Sequence, residues 1–142
     1  MIIHALSVRQ PYAEMIISGI KSVELRTWTT PFRGRLWLHT GLKSDASAEA
    51  FFRQQLLIGN RILDKGCYLG ILNLTAIVPM DKQRWELWRK KHHDLSDYTP
   101  NFYGWLFSVD KRFETPIHGR GAQGLFTPSE LVLTQLRLAS NY

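Results

Sequence analysis

SVRQPYAEMIISGIKSVELRTW, residues 7–28, is the stretch of this chain that decides its fold. Pro11 predicts the start of a helix, because the first helical turn has no use for the N–H that proline lacks. Gly19 predicts its end. The segment Lys21–Thr27 then alternates and is rich in β-formers, which predicts a strand with Ser22, Glu24 and Arg26 on one side. The stretch therefore reads as a turn, a helix and a strand.

The same stretch gathers polar groups that could hold a ligand. It delivers Arg9, Gln10, Lys21, Glu24 and Arg26 within 18 residues. A carboxylate accepts hydrogen bonds from an exocyclic amine or a hydroxyl, while cations meet carbonyls and phosphates. The cluster thus suits a base or a ribose. The alternative is structural: Glu24 and Arg26 would form an exposed ion pair, Lys21 would be a surface lysine, and Gln10 would bond the backbone at the helix entry.

The rest of the chain predicts an α+β fold. Five or six strands alternate with inserted helices in a short chain, which favours a small mixed β-barrel over a parallel sheet. The predicted strands are 2–6, 21–27, 35–40, 67–78, 103–113 and 113–117, and the further helices are 44–59, a basic amphipathic helix over 81–93, and 128–138. We expect residues 1–142 to form a single domain.

Composition limits the classes of partner and compartment. The chain carries 18 Lys and Arg against 12 Asp and Glu, a net charge of +6 that falls mainly in residues 1–43 and 81–93. Such uneven charge suits an anionic partner such as nucleic acid, although many basic domains bind none. A single cysteine, Cys67, argues against a disulfide framework or a cysteine-based zinc site. No apolar run reaches the roughly 20 residues of a membrane span, and the N-terminus does not read as a signal peptide. We expect a cytoplasmic protein.

Three motifs in order resemble the ASCH family (activating signal cointegrator-1 homology domains) of the PUA-like superfamily. They are the Ser-x-x-Gln-Pro-[aromatic]-Ala segment Ser7–Ala13, the Gly-x-Lys-x-x-Glu-x-Arg segment Gly19–Arg26, and the strand Gly34-Arg-Leu-Trp-Leu-His39. The Gly66-x-x-x-Gly70 strand and the late segment Pro116–Gly121 also match. The resemblance covers about residues 1–125, with an insertion-like basic helical stretch at 81–100. It implies a PUA-like β-barrel whose pocket binds RNA, DNA or a modified nucleoside.

The resemblance leaves open whether the chain is an enzyme. Similar small bacterial proteins hydrolyse N4-acetylcytidine, with a Lys that activates a Thr nucleophile and a Glu on a later strand, or cleave RNA. Lys21 matches that Lys, but Glu24 stands where the Thr would be, and Asn73 stands near the place of the acid. A carboxylate is not the hydroxyl that acyl transfer needs. If the chain is a hydrolase, Lys21, Glu24 and Tyr103 are the candidate catalytic residues, with His39 as an alternative helper.

The candidate ligand-binding residues extend beyond the first motif. His39 ends its strand, where a lone histidine is more often structural, and Arg120 lies in a glycine loop that lets the backbone approach a phosphate. The complete set is Arg9, Gln10, Lys21, Glu24, Arg26, His39 and Arg120. The histidines lack the companions of a metal site, so we expect no metal and no cofactor. Ser7 and Thr40 show no base and acid beside them in the sequence, so no catalytic triad is predicted.

Two tryptophans on the basic helix leave its role open. Trp85 and Trp88 lie three residues apart among Arg and Lys side chains, where indoles could stack on bases. They could equally pack on the barrel with the cations as its solvated side. Three functions remain: a module that binds nucleic acid or a modified nucleoside, a hydrolase acting on RNA or on N4-acetylcytidine-type nucleosides, or a scaffold in a protein complex. The sequence does not give the oligomeric state.

Overall fold

A computed structural model describes residues 1–141 and contains one six-stranded mixed sheet. Its strands are β1 (Ala5–Ser7), β2 (Val23–Arg26), β3 (Gly34–Thr40), β4 (Cys67–Pro79), β5 (Tyr103–His118) and β6 (Leu125–Phe126). They lie in the order β2-β5-β4-β3-β1-β6. All neighbours are antiparallel except β1 and β3, which pair in parallel. The predicted α+β class is confirmed.

Helices fill the connections between these strands. Within residues 1–141 they are α1 (Tyr12–Ile17), α2 (Ala46–Gln54), α3 (Lys82–Leu87), α4 (Arg89–His92) and α5 (Glu130–Ser140). Pro11 stands at the N-terminus of α1, and Gly19 follows its end with φ +85, a conformation that costs glycine little. Asp45 caps α2, because its carboxylate accepts a hydrogen bond from the N–H of Ala48. No helix of residues 1–141 is long and apolar enough to cross a membrane.

The sheet is buried on both faces, as the alternation of β3 predicts. Leu36 and Leu38 join the larger core cluster with α1, while Trp37 faces a second cluster under α5. The larger cluster takes residues from β1, β3, β4 and β5 together. The sheet therefore curls into a half-barrel, with α1 inside the curve and α5 outside it.

Three predicted elements differ from the structure. The first strand begins at Ala5 rather than Ile2, because its length is set by pairing with β3 and β6. The two strands predicted over 103–117 form one strand, β5, which is bent by irregular pairing with β4. The single basic helix predicted over 81–93 is wrong: it breaks at Trp88 into α3 and α4.

The break at Trp88 turns the basic segment back onto the sheet. Trp85 is buried at 1% exposure on α3. After the break, the carbonyl of Lys91 accepts a hydrogen bond from the N–H of Ser22 at 3.0 Å, so α4 lies beside the entrance of β2. One straight helix could not make both contacts. The segment over 81–94 is thereby part of the surroundings of the predicted site.

Candidate functional site

The site is centred on Lys21, between the end of α1 and the start of β2. The turn at Gly19 brings the N–H of Lys21 to 2.9 Å from the carbonyl of Met15, which fixes where the lysine leaves the helix. Its side chain then runs inward and is 3% exposed. A lysine this buried needs partners for its ammonium group.

Three groups surround the Lys21 ammonium. Nζ lies 3.4 Å from Oε1 of Glu24, donates a hydrogen bond to the carbonyl of His92, and lies 5.2 Å from the centre of the Tyr12 ring. Burial lowers the pKa of Lys21, and the negative charge of Glu24 partly offsets that effect. The partners hold the ammonium in one place, and the burial makes it easier to deprotonate than a surface lysine.

Glu24 is shared between two cations. Its Oε2 lies 3.2 Å from Nη2 of Arg26, which also donates to the carbonyl of Ser7 at 2.7 Å. The Glu24 side chain is 14% exposed. Nε of Arg26 is buried and has no hydrogen-bond partner within residues 1–141. Glu24 is therefore the acceptor that this pair can offer to a base edge, and Arg26 holds it in place.

Lys21 and Glu24 open into a cleft of about 210 Å³. Charged side chains line it throughout, from the largely buried Lys21 and Glu24 to Arg9, which is exposed at its rim. Its walls come from α1, β2, the start of α2 and the chain after α4. The lining residues are Val8, Arg9, Tyr12, Lys21, Glu24, Leu25, Asp45 and Asp94. Of the predicted set, the structure brings Arg9, Lys21 and Glu24 into this one cleft, with Arg26 bound to Glu24 behind it.

Three cleft residues escaped the sequence analysis. Tyr12 lies half-buried against Lys21, and its pKa is raised by burial and by the charges of Asp94, Asp45 and Glu24. The phenol is therefore a hydrogen-bond donor throughout the physiological range. Asp45 shows only a capping pattern in the sequence, and Asp94 lies in the basic segment outside the motifs. Only the folding of α4 onto β2 brings Asp94 to the cleft.

His39 and Ser7 form a separate bonded pair on the neighbouring strands β3 and β1. Oγ of Ser7 lies 2.6 Å from Nδ1 of His39, and Nε2 lies 2.9 Å from the carbonyl of Gly119. A carbonyl only accepts, so Nε2 carries the proton and Nδ1 accepts from Ser7. Burial lowers the pKa of His39, which keeps the ring neutral. Strand pairing brings the His39 ring to Ser7 from 32 residues away, a contact that the sequence did not reveal, but Nε2 meets a carbonyl rather than a carboxylate, so the pair is not a Ser-His-acid triad.

A glycine loop covers this pair. A Cβ on Gly121 would lie 2.3 Å from Nδ1 of His39 and 2.5 Å from Oγ of Ser7, so only glycine fits there. Arg120 is exposed beside a different cavity, of about 610 Å³, in front of α5. The predicted ligand residues His39 and Arg120 therefore lie apart from the Lys21 cleft. They connect to it through Ser7, whose carbonyl holds Arg26.

Three other candidates do not line the cleft. Gln10 is fully buried, where its amide donates to the carbonyl of Asp64 and accepts from the N–H of Glu14, each at 2.9 Å. Tyr103 lies across from Arg26 in the β2–β5 pairing and packs on the larger core cluster. Asn73 lies mid-strand on β4, between Arg35 and Ser108, outside the cleft lining.

Both tryptophans of the basic segment pack against neighbouring side chains, Trp85 more completely than Trp88. Trp85 contacts the rings of His92, Tyr98 and Phe102, and at 1% exposure it presents no face to a base. Trp88 is half-buried, with Arg84 and Lys91 lying 5.2 and 5.0 Å from its ring centre. The packing alternative fits both.

His92 is buried in the same region and has both ring nitrogens occupied. Nε2 donates to the carbonyl of Trp85 at 2.8 Å, and Nδ1 accepts from the N–H of Asp94 at 2.9 Å. These bonds fix the backbone that carries the Lys21 acceptor and the Asp94 side chain. Residues 1–141 contain no group of three or more His, Cys, Asp or Glu side chains that could hold a metal ion.

Comparison with known proteins gives one family. Residues 6–116 match the ASCH domain family. A stretch of 77 residues is 40% identical to activating signal cointegrator 1 of Homo sapiens and 39% identical to that of Mus musculus. The alignment covers 49% of this chain but only 13% of the length of either relative.

Solved structures give the same fold. The ASCH protein of Zymomonas mobilis superposes with a TM-score of 0.63 at 17% identity, over 96% of this chain and 93% of that one. Two point mutants of the same bacterial protein give TM-scores of 0.62 and 0.64 at 16% identity, each over 97% of this chain and over 96% and 98% of theirs. At this identity the match concerns the fold, and it confirms the predicted PUA-like barrel.

Proposed function

This chain belongs to the ASCH domain family, and we propose that it binds a nucleic acid or a modified nucleoside by seating one base in the Lys21 cleft. The observation that carries the proposal is the Glu24 carboxylate, held between Lys21 and Arg26 and partly open to the cleft. A carboxylate fixed this way accepts from an amino or imino group of a base without having to order itself on binding.

The size of the cleft favours one base over a larger ligand. Its volume of about 210 Å³ lies below the ~300 Å³ at which pockets for drug-sized ligands begin. The ring of Tyr12 and the apolar Val8 and Leu25 provide flat or apolar walls.

The sugar and phosphate would lie outside this cleft. Glu24, Asp45 and Asp94 line it against the two cations Lys21 and Arg9, which makes its interior a poor place for a phosphate. Arg9 at the rim is exposed and suited to a phosphate contact. With a net charge of +6, the backbone of a bound strand would add affinity that falls with salt.

The test is an affinity measurement with fluorescent single-stranded RNA and DNA at low and at moderate salt. We expect tighter binding at low salt. Glu24→Ala is expected to reduce the preference among bases more than the affinity itself, and Arg9→Ala to reduce affinity for all sequences and flatten the salt dependence. Glu114→Ala and Arg137→Ala remove exposed charges outside the cleft and serve as matched controls. Affinity that does not change with salt would contradict the proposal.

A hydrolase acting on RNA or on N4-acetylcytidine-type nucleosides is the second candidate. The lowered pKa of the Lys21 amine favours it, because a deprotonated amine is a base. Glu24 would share in proton transfer, whereas Tyr103 and His39 lie outside the cleft lining. Turnover of acetylated cytidine or short RNA that is lost in Lys21→Met would support this candidate. Absence of any Lys21-dependent turnover would remove it.

Two broader predictions from the sequence belong to the same proposal. We propose that residues 1–142 form one domain in which the stretch 81–100 is built into the site, since His92 and Asp94 meet Lys21 and the cleft. A cytoplasmic location is the setting in which such a domain would meet RNA. The partner is proposed to be nucleic acid or a modified nucleoside, with no cofactor.

A further inference from the structure

We propose that a second base-binding site adjoins the Lys21 cleft, so that the ligand is a single strand of at least two nucleotides rather than an isolated nucleoside. The inference rests on the proposed function, since it places the second base next to the one in the cleft. The second site is a cavity of about 380 Å³ between α2 and the chain that follows α4. We call it the Phe51 cavity.

The Phe51 cavity is built from ring and planar side chains. Its lining residues are Phe51, Phe52, Gln55, Leu57, Arg89, His93, Asp94 and Leu95. Phe51 is 42% exposed, and its ring packs on that of Phe52 at a centroid distance of 5.5 Å. Bases of single strands stack on aromatic faces of this kind regardless of their sequence.

The His93 ring contributes a second flat surface. His93 adopts φ 55, a left-handed conformation that ends α4 and directs the chain toward Asp94. Its ring lies 6.2 Å from that of Phe52. Burial and the nearby Lys21 lower the pKa of His93, so the ring that meets the cavity is neutral.

Arg89 lines the cavity with its hydrogen-bonding edge already occupied. Its guanidinium is bound to the Glu86 carboxylate and to the carbonyls of Asp94 and Ser96. These bonds fix the group in place and leave its face as the part that is not hydrogen-bonded. A guanidinium fixed in this way can stack on a base.

Two links join the Phe51 cavity to the Lys21 cleft. Asp94 lines both. Tyr12, which lines the cleft, contacts the ring of Phe52 at a centroid distance of 5.9 Å, and Phe52 lines the second cavity. Neighbouring bases of one strand could therefore occupy the two sites, with Asp94 accepting from an amino group at the boundary.

The test compares ligands that differ by one base. Fluorescent dinucleotides are titrated alongside the same molecules with an abasic residue at the 5′ or the 3′ position, which preserves the phosphates and sugars. For the wild-type chain we expect the complete dinucleotide to bind about tenfold more tightly than the tighter of the two abasic forms, which keeps its base in the Lys21 cleft; tenfold is the size typical of one stacked base. Phe51→Ala is expected to remove most of that advantage while the affinity of the abasic form stays unchanged.

Matched variants separate stacking from other effects. Phe51→Leu keeps an apolar side chain without a ring and should also lose most of the tighter binding of the complete dinucleotide. It provides a second test if Phe51→Ala does not fold. Leu56→Ala removes an apolar side chain that is 83% exposed, just beyond α2 and outside the cavity lining, and should change nothing. Glu24→Ala should lower the affinity for the complete and the abasic dinucleotide by a similar factor.

The outcomes distinguish this inference from the proposed function. Equal affinity of the complete dinucleotide and the tighter abasic form, or a Phe51→Ala effect that is the same on both, would overturn the second site and leave the cleft proposal standing. Absence of binding by any of these ligands at low salt would overturn both. A tenfold difference that disappears in Phe51→Ala would support the second site.

Discussion

Nζ of Lys21 lies 3.4 Å from Oε1 of Glu24, and both side chains are largely withdrawn from water. The two residues are three apart in the chain, at the entrance of β2. Burial disfavours the ammonium, while Glu24 and the His92 carbonyl favour it. The charge state of Lys21 is therefore set by the same carboxylate that is proposed to meet the base.

Glu24→Gln is predicted to lower the pKa of Lys21 further. The substitution removes the nearest negative charge and leaves the burial in place, so the neutral amine forms at lower pH. Acylation of Lys21 as a function of pH, followed by mass spectrometry of its peptide, measures this. An unchanged acylation profile would show that Glu24 does not hold the ammonium, and modification of the exposed Lys65 provides the internal control.

Removing Arg112 is predicted to destabilise the protein more than neutralising Glu14, its partner in an ion pair. Glu14 is 1% exposed and receives two hydrogen bonds from Arg112, at 2.7 and 2.8 Å, whereas the Arg112 side chain is 44% exposed. Arg112→Ala removes both bonds and leaves the buried carboxylate with the longer contact to Arg61, at 3.5 Å, so it is expected to cost about 3 kcal/mol of unfolding free energy. Glu14→Gln leaves a cation that water can reach and should cost about half as much. Denaturant midpoints in the reverse order would contradict this account.

Gly121→Ala is predicted to displace the loop over Ser7 and His39. The added Cβ would lie within 2.5 Å of both side chains, and relieving that overlap is expected to cost about 2 kcal/mol. Gly41→Ala is the matched control, since a Cβ there meets nothing within 4 Å. Thermal unfolding of the two variants makes the comparison. Equal melting temperatures would mean that the loop does not pack on the pair.

Stability is predicted to fall at alkaline pH through Cys67. Burial raises the pKa of its thiol from 9.0 to about 11. The pKa of this thiol is higher in the folded state than in the unfolded state. Its contribution to the free energy of unfolding is therefore complete below about pH 9 and is lost as the pH rises toward 11. The loss is on the order of 2 kcal/mol. Cys67→Ala should flatten the decline of unfolding free energy over this range, and an identical decline in both proteins would contradict the assignment.

Local signals in the sequence were sufficient for the elements around the site. Pro11 and Gly19 bound α1, Asp45 caps α2, and the alternation of β3 places Leu36 and Leu38 in one core. Each of these depends on neighbours in the chain. The charged pair Lys21 and Glu24 was also visible, because the two residues share one short segment.

Contacts between distant residues could not be predicted in this way. His39 reaches Ser7 only because β1 pairs in parallel with β3. Asp94 reaches the cleft only because the basic segment breaks at Trp88 and α4 returns to β2. Neither the break nor the return has a proline or glycine to mark it, and a basic stretch of this kind is typical of one solvated helix.

The central claim, a base in the Lys21 cleft, is tested most directly by NMR. Amide signals of the labelled chain are followed during titration with each of the four nucleoside monophosphates. The account predicts that the largest shifts fall on Tyr12, Lys21, Glu24 and Asp94 for at least one base, and that Glu24→Gln reduces them. Shifts confined to the Gly119–Gly124 loop, with the cleft residues unmoved, would contradict it.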